Sequence, residues 1–403
     1  MQKKIIALAV ASALVAPAAF ADTSNVNVYG VANVSYDFVT TKNTAGAGVS
    51  TGKVSSNTSR IGLKGSEDLG DGLSAVWQVE SQINIDNAGT QANGGLAGTA
   101  ANGGAVVGQA NFGTTNGNVG NTLGNRNTFA GLSSATLGTV IMGRHDTPYN
   151  ISTRKFDVFG DGIADNRSLM GGNGGTAVAA FDGRQPDVIA YISPAISGFT
   201  GAIAYLNLAE AANVGTQSKV SAWSMAGMYS MDAFYGSLAY EVHNAGTGTL
   251  AAAVGPFPAG TAIAAAIKES AVKFGFGYTQ DAINVNLAYE KTSDNGGAAG
   301  VNLIGHSAYY LSGKYSFGND AIKAAYTKVG NLGATVASGA SQFSLGYDHS
   351  LSKRTTVYAL YTTLKSDANA NYGFSGTSTG SANTAIGLGN APSAMSFGMK
   401  HTF

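Results

Sequence analysis

The stretch that decides the fold is AMSFGMKHTF, Ala394–Phe403, at the end of the sequence. Hydrophobic residues alternate with small or polar ones along it, so that Met395, Phe397 and Met399 share one face of an extended chain. A period of two is that of a β-strand with one apolar face. A strand at the end of the sequence leaves an edge to be paired, and closing a barrel against the first strand removes that edge. The ending therefore predicts a closed β-barrel.

The other end has the pattern of a secretory signal. Two lysines at residues 3–4 precede an apolar run over Ile5–Val15, and the sequence Ala-Phe-Ala at 19–21 fits the small-x-small cleavage rule. The apolar run is too short to cross a bilayer as a helix, which takes ~20 apolar residues. We expect a cleaved signal peptide over residues 1–21 and one mature domain over 22–403.

The composition is that of many short strands joined by polar loops. The chain has 56 Gly, 7 Pro, no Cys and 11% charged residues, with 18 Tyr and 17 Phe. It matches neither a helical core nor a highly charged disordered chain. The formal net charge is +0, and without the two lysines of the expected signal it is 21 basic against 23 acidic residues. This balance argues against a nucleic-acid partner.

Alternation recurs along the chain, with aromatic residues near the ends of the apolar faces. This pattern is typical of barrels that carry aromatic girdles at the lipid–water boundary. The clearest apolar faces are Val272, Phe274, Phe276 and Tyr278; Ile283, Val285, Leu287 and Tyr289; Tyr309, Leu311, Tyr315 and Phe317; and Phe343, Leu345 and Tyr347.

Short and long connections also alternate, and this sets the number of strands. Seven short turns and eight long loops join sixteen strands, and an even number puts both termini on the side of the short turns, the periplasmic side of outer-membrane barrels. The short turns are 68–72, 134–138, 194–198, 231–233, 279–282, 318–321 and 351–354. The long loops are near 41–56, 86–124, 146–184, 209–218, 244–266, 292–304, 331–340 and 367–392.

We therefore predict an all-β fold, a 16-stranded antiparallel transmembrane β-barrel in the outer membrane. The alternative is a soluble sandwich or β-helix, whose polar face would meet water and whose apolar face would meet a core. The regular alternation of turns and loops disfavours the sandwich, and the lack of a 20–50-residue repeat disfavours the solenoid.

Several segments resemble one family, the general porins of Gram-negative bacteria, and in particular their β-proteobacterial and neisserial branch. The most diagnostic are TSRIGLKGSEDLG at 58–70 and the GRHDTP within GTVIMGRHDTP at 138–148. NVNVYGV at 25–31 and NRNTFAGL at 125–132 resemble the first and fourth strands of that family. The final Phe403 is similar to its C-terminal assembly signal, which implies the outer-membrane assembly machinery as a partner.

The resemblance implies a homotrimer in outer-membrane lipid that passes small hydrophilic solutes and ions, without a cofactor or metal. It also implies that the third outer loop, about residues 146–184, folds into the lumen. That loop carries the candidate acidic constriction residues Asp146, Asp157, Asp161 and Asp165. Its apolar residues, such as Phe156 and Phe159, would pin it to the wall.

The candidate basic wall is inferred mainly from strand parity. Arg60 and Lys64 share a face opposite Ile61 and Leu63, and a cation facing lipid at mid-membrane costs about 2–4 kcal/mol, so both should face the lumen. The same parity groups Arg126 with Thr128 and Ala130, opposite Phe129, and predicts that Arg126 also faces inward.

The assignment of Arg144 to the basic wall rests on the resemblance and not on strand parity. Strict alternation groups it with Val140 and Met142, so we expect it at a bend into the loop, and the family places a basic residue of this segment near the constriction.

The predicted function is passive diffusion through a water column, with weak charge selectivity set by a field between wall cations and loop aspartates. The wall cations would favour anions and the loop aspartates oppose this, so the sign stays open with a lean toward anions. An outer-membrane enzyme is disfavoured, because the five His fall on different strands and the neighbouring carboxylates would face the opposite way. No H-x-x-x-H pair or Cys indicates a metal. Only residues 22–24 precede the first strand, so no plug of a gated transporter is expected. An adhesive role of the outer loops could coexist with a pore.

Overall fold

The computed structural model describes residues 26–46, 48–86, 123–171, 181–207, 221–249, 262–295, 300–333, 335–374 and 387–403. The expected signal peptide, the loop at 209–218 and most of the loop at 86–124 lie outside these residues. Within them, no helix is long and apolar enough to cross a membrane, and the α-helix α1, Pro148–Thr153, has six residues.

Seventeen strand segments make up the sheet. They are β1 Asn27–Lys42, β2 Gly48–Ser56, β3 Arg60–Gly70, β4 Leu73–Gln82, β5 Thr128–Ser134, β6 Gly138–Asp146, β7 Arg184–Ile192, β8 Phe199–Asn207, β9 Ser221–Met231, β10 Phe234–Thr249, β11 Ala262–Gln280, β12 Ile283–Asp294, β13 Ser307–Phe317, β14 Asp320–Val329, β15 Ala340–Ser350, β16 Thr355–Ser366 and β17 Ser393–Thr402.

The sheet closes on itself as a 16-stranded antiparallel barrel. β2 and β3 both pair with β1, one along its second half and one along its start, so together they form one barrel strand interrupted at residues 57–59. The last segment, β17, pairs with β1 from Val31 opposite Thr402 to Thr40 opposite Ser393. The predicted closed barrel of sixteen strands is therefore confirmed.

Side-chain exposure follows the predicted period of two. On β13, Tyr309 and Leu311 are 40% and 50% exposed, whereas the intervening Tyr310 and Ser312 are almost fully buried. The half-exposed face carries large apolar side chains on most strands, and the other face carries small or polar ones. This is the inside-out pattern of a barrel whose outer face meets lipid.

All seven predicted short turns are present at their expected places between strands. Three of them place an aspartate in the left-handed region, namely Asp71, Asp232 and Asp281, with φ of 53°, 49° and 49°. Tight hairpins need such a conformation, and Asp tolerates it better than most residues because its short side chain bonds locally.

The loop expected at residues 41–56 is mostly strand, so this prediction was wrong. β1 continues to Lys42 and β2 begins at Gly48. The run GVSTGKVSS looks loop-like because it is small and polar, but Val54 faces outward and Ser55 is buried on the inner side. A lumen wall accepts a polar inner face, so low hydrophobicity does not end a strand here.

The parity assigned to the segment around Arg126 was also wrong, although Arg126 does face inward. On β5, Phe129 lies opposite Gln78 and its ring contacts that of His145 inside the barrel, while Leu132 is 48% exposed on the other face. Ala130, which the sequence grouped with Arg126, shares the outward face with Leu132. Arg126 precedes the first residue of the strand, so its direction is set by the bend before β5 and not by alternation.

The seam between the first and last strands ends on a close contact. Gly30 donates its N–H to the Phe403 carbonyl oxygen at 2.9 Å and accepts from the Phe403 N–H at 3.1 Å. The Phe403 ring lies where a side chain of residue 30 would be, since a Cβ there would come within 2.3 Å of the ring and 2.7 Å of the Arg60 carbonyl oxygen. Gly30 thus makes room for the terminal phenylalanine.

We expect Gly30→Ala to lower the free energy of unfolding by about 1–3 kcal/mol, the usual cost of overpacking. The measurement is the temperature at which the folded barrel loses its fast migration in an SDS gel. Gly236→Ala is the matched control, because a Cβ at Gly236 would meet nothing within 4 Å. Equal transition temperatures for the two variants would contradict the steric account of the seam.

Candidate pore constriction

The connection between β6 and β7, residues 147–183, is the predicted third loop. It begins with α1, whose first turn is capped by the Thr147 hydroxyl, which accepts from the Asn150 N–H at 3.3 Å, with Pro148 as the first helical residue. Pro is favoured there because its missing N–H would have no helical partner. Two single 3₁₀ turns follow, at Arg154–Phe156 and Asn166–Ser168. Residues 172–180 lie outside the described part of the chain.

This segment is hydrogen-bonded to inward-facing side chains of one side of the barrel. The wall partners come from four strands, β9, β10, β12 and β13, and all have the parity opposite to the exposed apolar face. The pairs are Tyr149 N–H with Ser224 Oγ at 3.0 Å, Tyr149 OH with Glu290 Oε2 at 2.8 Å, Tyr235 OH with the Ser152 carbonyl oxygen at 2.9 Å, Ser312 Oγ with the Phe156 carbonyl oxygen at 3.0 Å, and Val158 N–H with Tyr310 OH at 3.2 Å.

Aromatic side chains of the segment pack on glycines of the wall. A Cβ at Gly275 would come within 2.5 Å of the Phe156 ring, and one at Gly346 within 2.7 Å of the Phe159 ring. Both phenylalanines are almost fully buried. The glycines therefore supply flat patches of backbone on which the rings lie, and the predicted apolar residues of the loop do contact the wall.

Arg154 organises the tip of the segment. Its guanidinium lies 2.6 Å from Asp165, 3.2 Å from Asp161 and 3.4 Å from Asp157. Arg167 adds a second contact to Asp165 at 2.9 Å. The carboxylates of Asp157 and Asp165 are fully buried, so these two acids hold the loop together and do not face the water of the pore.

The surroundings shift the pKa values of the two buried acids, Asp165 and Asp157, in opposite directions. Burial by itself raises the pKa of Asp165, but Arg154 and Arg167 overcome this and hold it well below its usual value. For Asp157, burial and then the neighbouring Asp165 raise the pKa to about 6, despite the opposing charge of Arg154. The tip thus contains one acid that stays ionised and one that titrates slightly below neutral pH.

Asp161 connects the segment to the other side of the barrel. It lies 3.3 Å from Arg60 on β3, whereas the wall contacts described above are with β9 to β13 and β15. Arg60 also approaches Glu80 on β4 at 3.9 Å, and Glu80 accepts from Arg126 at 2.5 Å. These four residues form a continuous chain of charges from the loop to the wall.

The far end of the segment rests on a second buried cluster. Asp182 and Glu290 both contact the Lys273 ammonium, with the Glu290 contact at 3.4 Å, and this ammonium lies over the Tyr149 ring. Phe181 stacks on His243 with ring centroids 4.4 Å apart. Both ends of the described loop are therefore anchored to β10, β11 and β12.

The structure brings some predicted site residues together and separates others. Arg60, Asp157, Asp161 and Asp165 meet at the tip through Arg154, whereas Arg126 reaches this group only through Glu80.

The other three predicted residues lie apart from the tip. Asp146, the last residue of β6, contacts Arg184 at 3.0 Å, and Arg144 donates to the Asn125 carbonyl oxygen at 3.0 Å. The Lys64 ammonium lies 5.3 Å from the centre of the Tyr29 ring.

Sequence reasoning missed the two arginines that neutralise the loop acids and the glutamate that joins the wall. Arg154 and Arg167 stand within three residues of Asp157 and Asp165, and this spacing is a usable signal for local ion pairs. No local signal marks Glu80, because its partners are Arg60 on β3 and Arg126 just before β5, which barrel pairing brings beside it.

Three comparisons place the chain among known proteins. A sequence model described as Gram-negative porin matches residues 7–369. The chain belongs to this porin family.

Alignments of this porin with curated relatives cover most of this chain and most of each relative. It is 25% identical over 409 residues to outer membrane porin protein 32 of Delftia acidovorans, covering 100% of each chain. It is 28% identical over 338 residues to an outer membrane porin protein of Bordetella pertussis, covering 75% of this chain and 76% of the relative. The solved structure of an anion-selective porin from Comamonas acidovorans superimposes with a TM-score of 0.70 at 22% sequence identity. The superposition covers 94% of this chain and all of that one, which supports a shared fold.

The porin is therefore an outer-membrane channel protein and not an enzyme. Within the described residues, no group of three or more His, Asp or Glu side chains is placed to hold a metal ion.

We expect Arg154→Met to loosen the tip of the segment. Removing one partner of a buried ion pair costs about 3–5 kcal/mol. Here the Asp157 carboxylate stays buried without a cation, while Asp165 keeps Arg167 and Asp161 keeps Arg60. The measurement is the open-channel current noise of the purified porin, which should rise strongly above that of the wild type. Arg354→Met, at an exposed short turn, is the control, and equal noise in all three proteins would show that Arg154 does not hold the loop.

Proposed function

We propose that this porin is a water-filled channel for small hydrophilic solutes with a weak preference for anions, narrowed by the segment 147–183. The contacts of that segment with β9 to β13 on one side and with Arg60 on the other support its role as the constriction. We also infer a homotrimer, which rests on the family.

The observation that carries the selectivity is the pairing of the loop acids. Asp157, Asp161 and Asp165 are each within 4 Å of an arginine, and Asp182 contacts Lys273. Acids that are matched by neighbouring cations present little net negative charge to a passing ion, since the two fields cancel over a short distance.

Three lysines on the inner side are not matched in the same way, whereas Lys273 and Lys323 each contact an acid. Among the described residues, Lys64, Lys155 and Lys314 make no ion pair with an acid. An unpaired ammonium in the lumen raises the local concentration of anions and lowers that of cations. The preference is thus ascribed to unpaired lysines, of which Lys64 alone belongs to the basic wall that the sequence predicted, and not to the field between that wall and the loop aspartates.

Lys155 makes this preference dependent on pH. It projects from the segment over the Tyr235 ring, with its side chain open to the lumen. Partial desolvation by the loop and wall lowers the pKa of its ammonium to about 7. A lysine with a lowered pKa carries its charge below that pH and loses it as the pH rises through it.

The first experiment is the reversal potential of the purified porin in a planar bilayer under a salt gradient. We expect a reversal potential of the sign that indicates anion selectivity. The conductance should rise in groups of three equal steps. A cation-selective potential would contradict the proposed charge balance, and single steps would contradict the trimer. Folded protein without conductance would overturn the open channel.

We expect the anion preference to fall between pH 6 and pH 8, because Lys155 loses its positive charge over this range. Asp157, with a pKa of about 6, changes the charge in the same direction at slightly lower pH. Lys155→Gln should remove the part centred near pH 7, measured as reversal potential against pH. Lys328→Gln, on the outward face of β14, is the control, and a full pH dependence in Lys155→Gln would refute the assignment.

A further inference from the structure

Two inward-facing lysines stand directly opposite each other on neighbouring strands. Lys314 of β13 and Lys323 of β14 are register partners. Side chains in this relation have Cβ atoms about 5 Å apart, and like charges placed so repel each other. A pair of cations on a lumen wall therefore needs an anion nearby to be favourable.

Only one of the two ammonium groups has an acid beside it. Lys323 lies 2.8 Å from Asp348 and 4.9 Å from the centre of the Phe159 ring, so its position is set from two sides. Among the described residues, Lys314 makes no ion pair. An ammonium has three N–H donors and one carboxylate cannot use all of them, so the pair keeps donors for a further acceptor.

The pair lies beside the constricting segment, on the side of the short turns. Both lysines are within five residues of the turn at Gly318–Asn319. The Phe159 ring of the segment packs on Gly346, which is the register partner of Lys323 on β15.

A third cation lies on the same side. The ammonium of Lys155 is over the ring of Tyr235, which follows the turn between β9 and β10. A solute leaving the narrow part toward the short turns thus meets three lysines along one side of the wall.

We propose that Lys314 and Lys323 form a binding site for an oxyanion, a phosphate or carboxylate group of a passing solute, at the turn-side exit of the constriction. The proposal rests on the proposed anion preference and adds to it a specific place at which a passing anion binds. An oxyanion offers separate oxygens that accept from both ammonium groups at once, and such charge-assisted bonds are stronger than those between neutral groups. Chloride has one centre and gains less from a bridged geometry.

The test uses inorganic phosphate as the probe and the full-length porin in a planar bilayer. Phosphate added to a potassium chloride solution should produce excess current noise that saturates with concentration, as solutes enter and leave the site. Lys314→Gln should weaken the apparent binding of phosphate about tenfold, the loss expected for one charged hydrogen-bonding partner. Lys314→Arg should restore it.

Lys64→Gln is the matched control, because it removes one unpaired lumen lysine that lies by Tyr29 on β3. Phosphate binding should fall much less in it than in Lys314→Gln, because Lys64 changes only the local anion concentration. Equal loss in Lys64→Gln and Lys314→Gln, or noise in the wild type that does not depend on phosphate, would overturn the site. The reversal potential in chloride, recorded in the same bilayers, tests the anion preference separately, so either result can fail alone.

Discussion

The structure depends on one constraint, which is that a chain surrounded by lipid must satisfy its backbone hydrogen bonds within itself. A sheet can do this only when its first and last strands pair, because lipid offers no donor or acceptor to a free edge. Here that closure is the ladder between β1 and β17, extended by the reciprocal bonds of Gly30 and Phe403. The final residue of the chain thus completes the sheet, and the missing side chain of Gly30 leaves space for its ring.

Closure divides every strand into a face toward lipid and a face toward the lumen, and the second face then receives the loop. Polar side chains such as Tyr310 and Ser312, which would be unfavourable in lipid, become partners for backbone groups of the segment. Glycines on the same face, such as Gly275, let aromatic rings approach the backbone. The small and polar residues of the inner face therefore bind the loop to the barrel wall.

The charges follow from the same arrangement. Ions buried between the loop and the wall need partners, since an isolated charge in such a place is strongly unfavourable. Arg154 and Arg167 meet this need for Asp157 and Asp165, and Arg60 meets part of it for Asp161. Charges that face open water have no such need, and this is where the lysines remain unpaired. Under the proposed function, ions are therefore selected by the lysines without an acidic partner and not by the charges that hold the loop.

The strands, their number, the short turns and the outward apolar face could be predicted from the sequence alone. They are local: a period of two in a dozen residues marks a strand, and an Asp at a tight turn marks a hairpin. The inward direction of Arg60 followed from the same rule. Arg126 shows the limit of that rule, because it lies just before β5, where a bend sets its direction and brings it to Glu80 on the neighbouring strand.

Which charges meet was decided only by the tertiary structure. Asp161 and Arg60 are separated by 101 positions, and Tyr149 and Glu290 by 141, so their contacts depend on barrel closure and on the path of the loop. The sequence determined that this chain forms a barrel with charged residues on its inner side. The fold determined which of those charges cancel and which remain, because pairing depends on distances across the lumen that no local pattern contains.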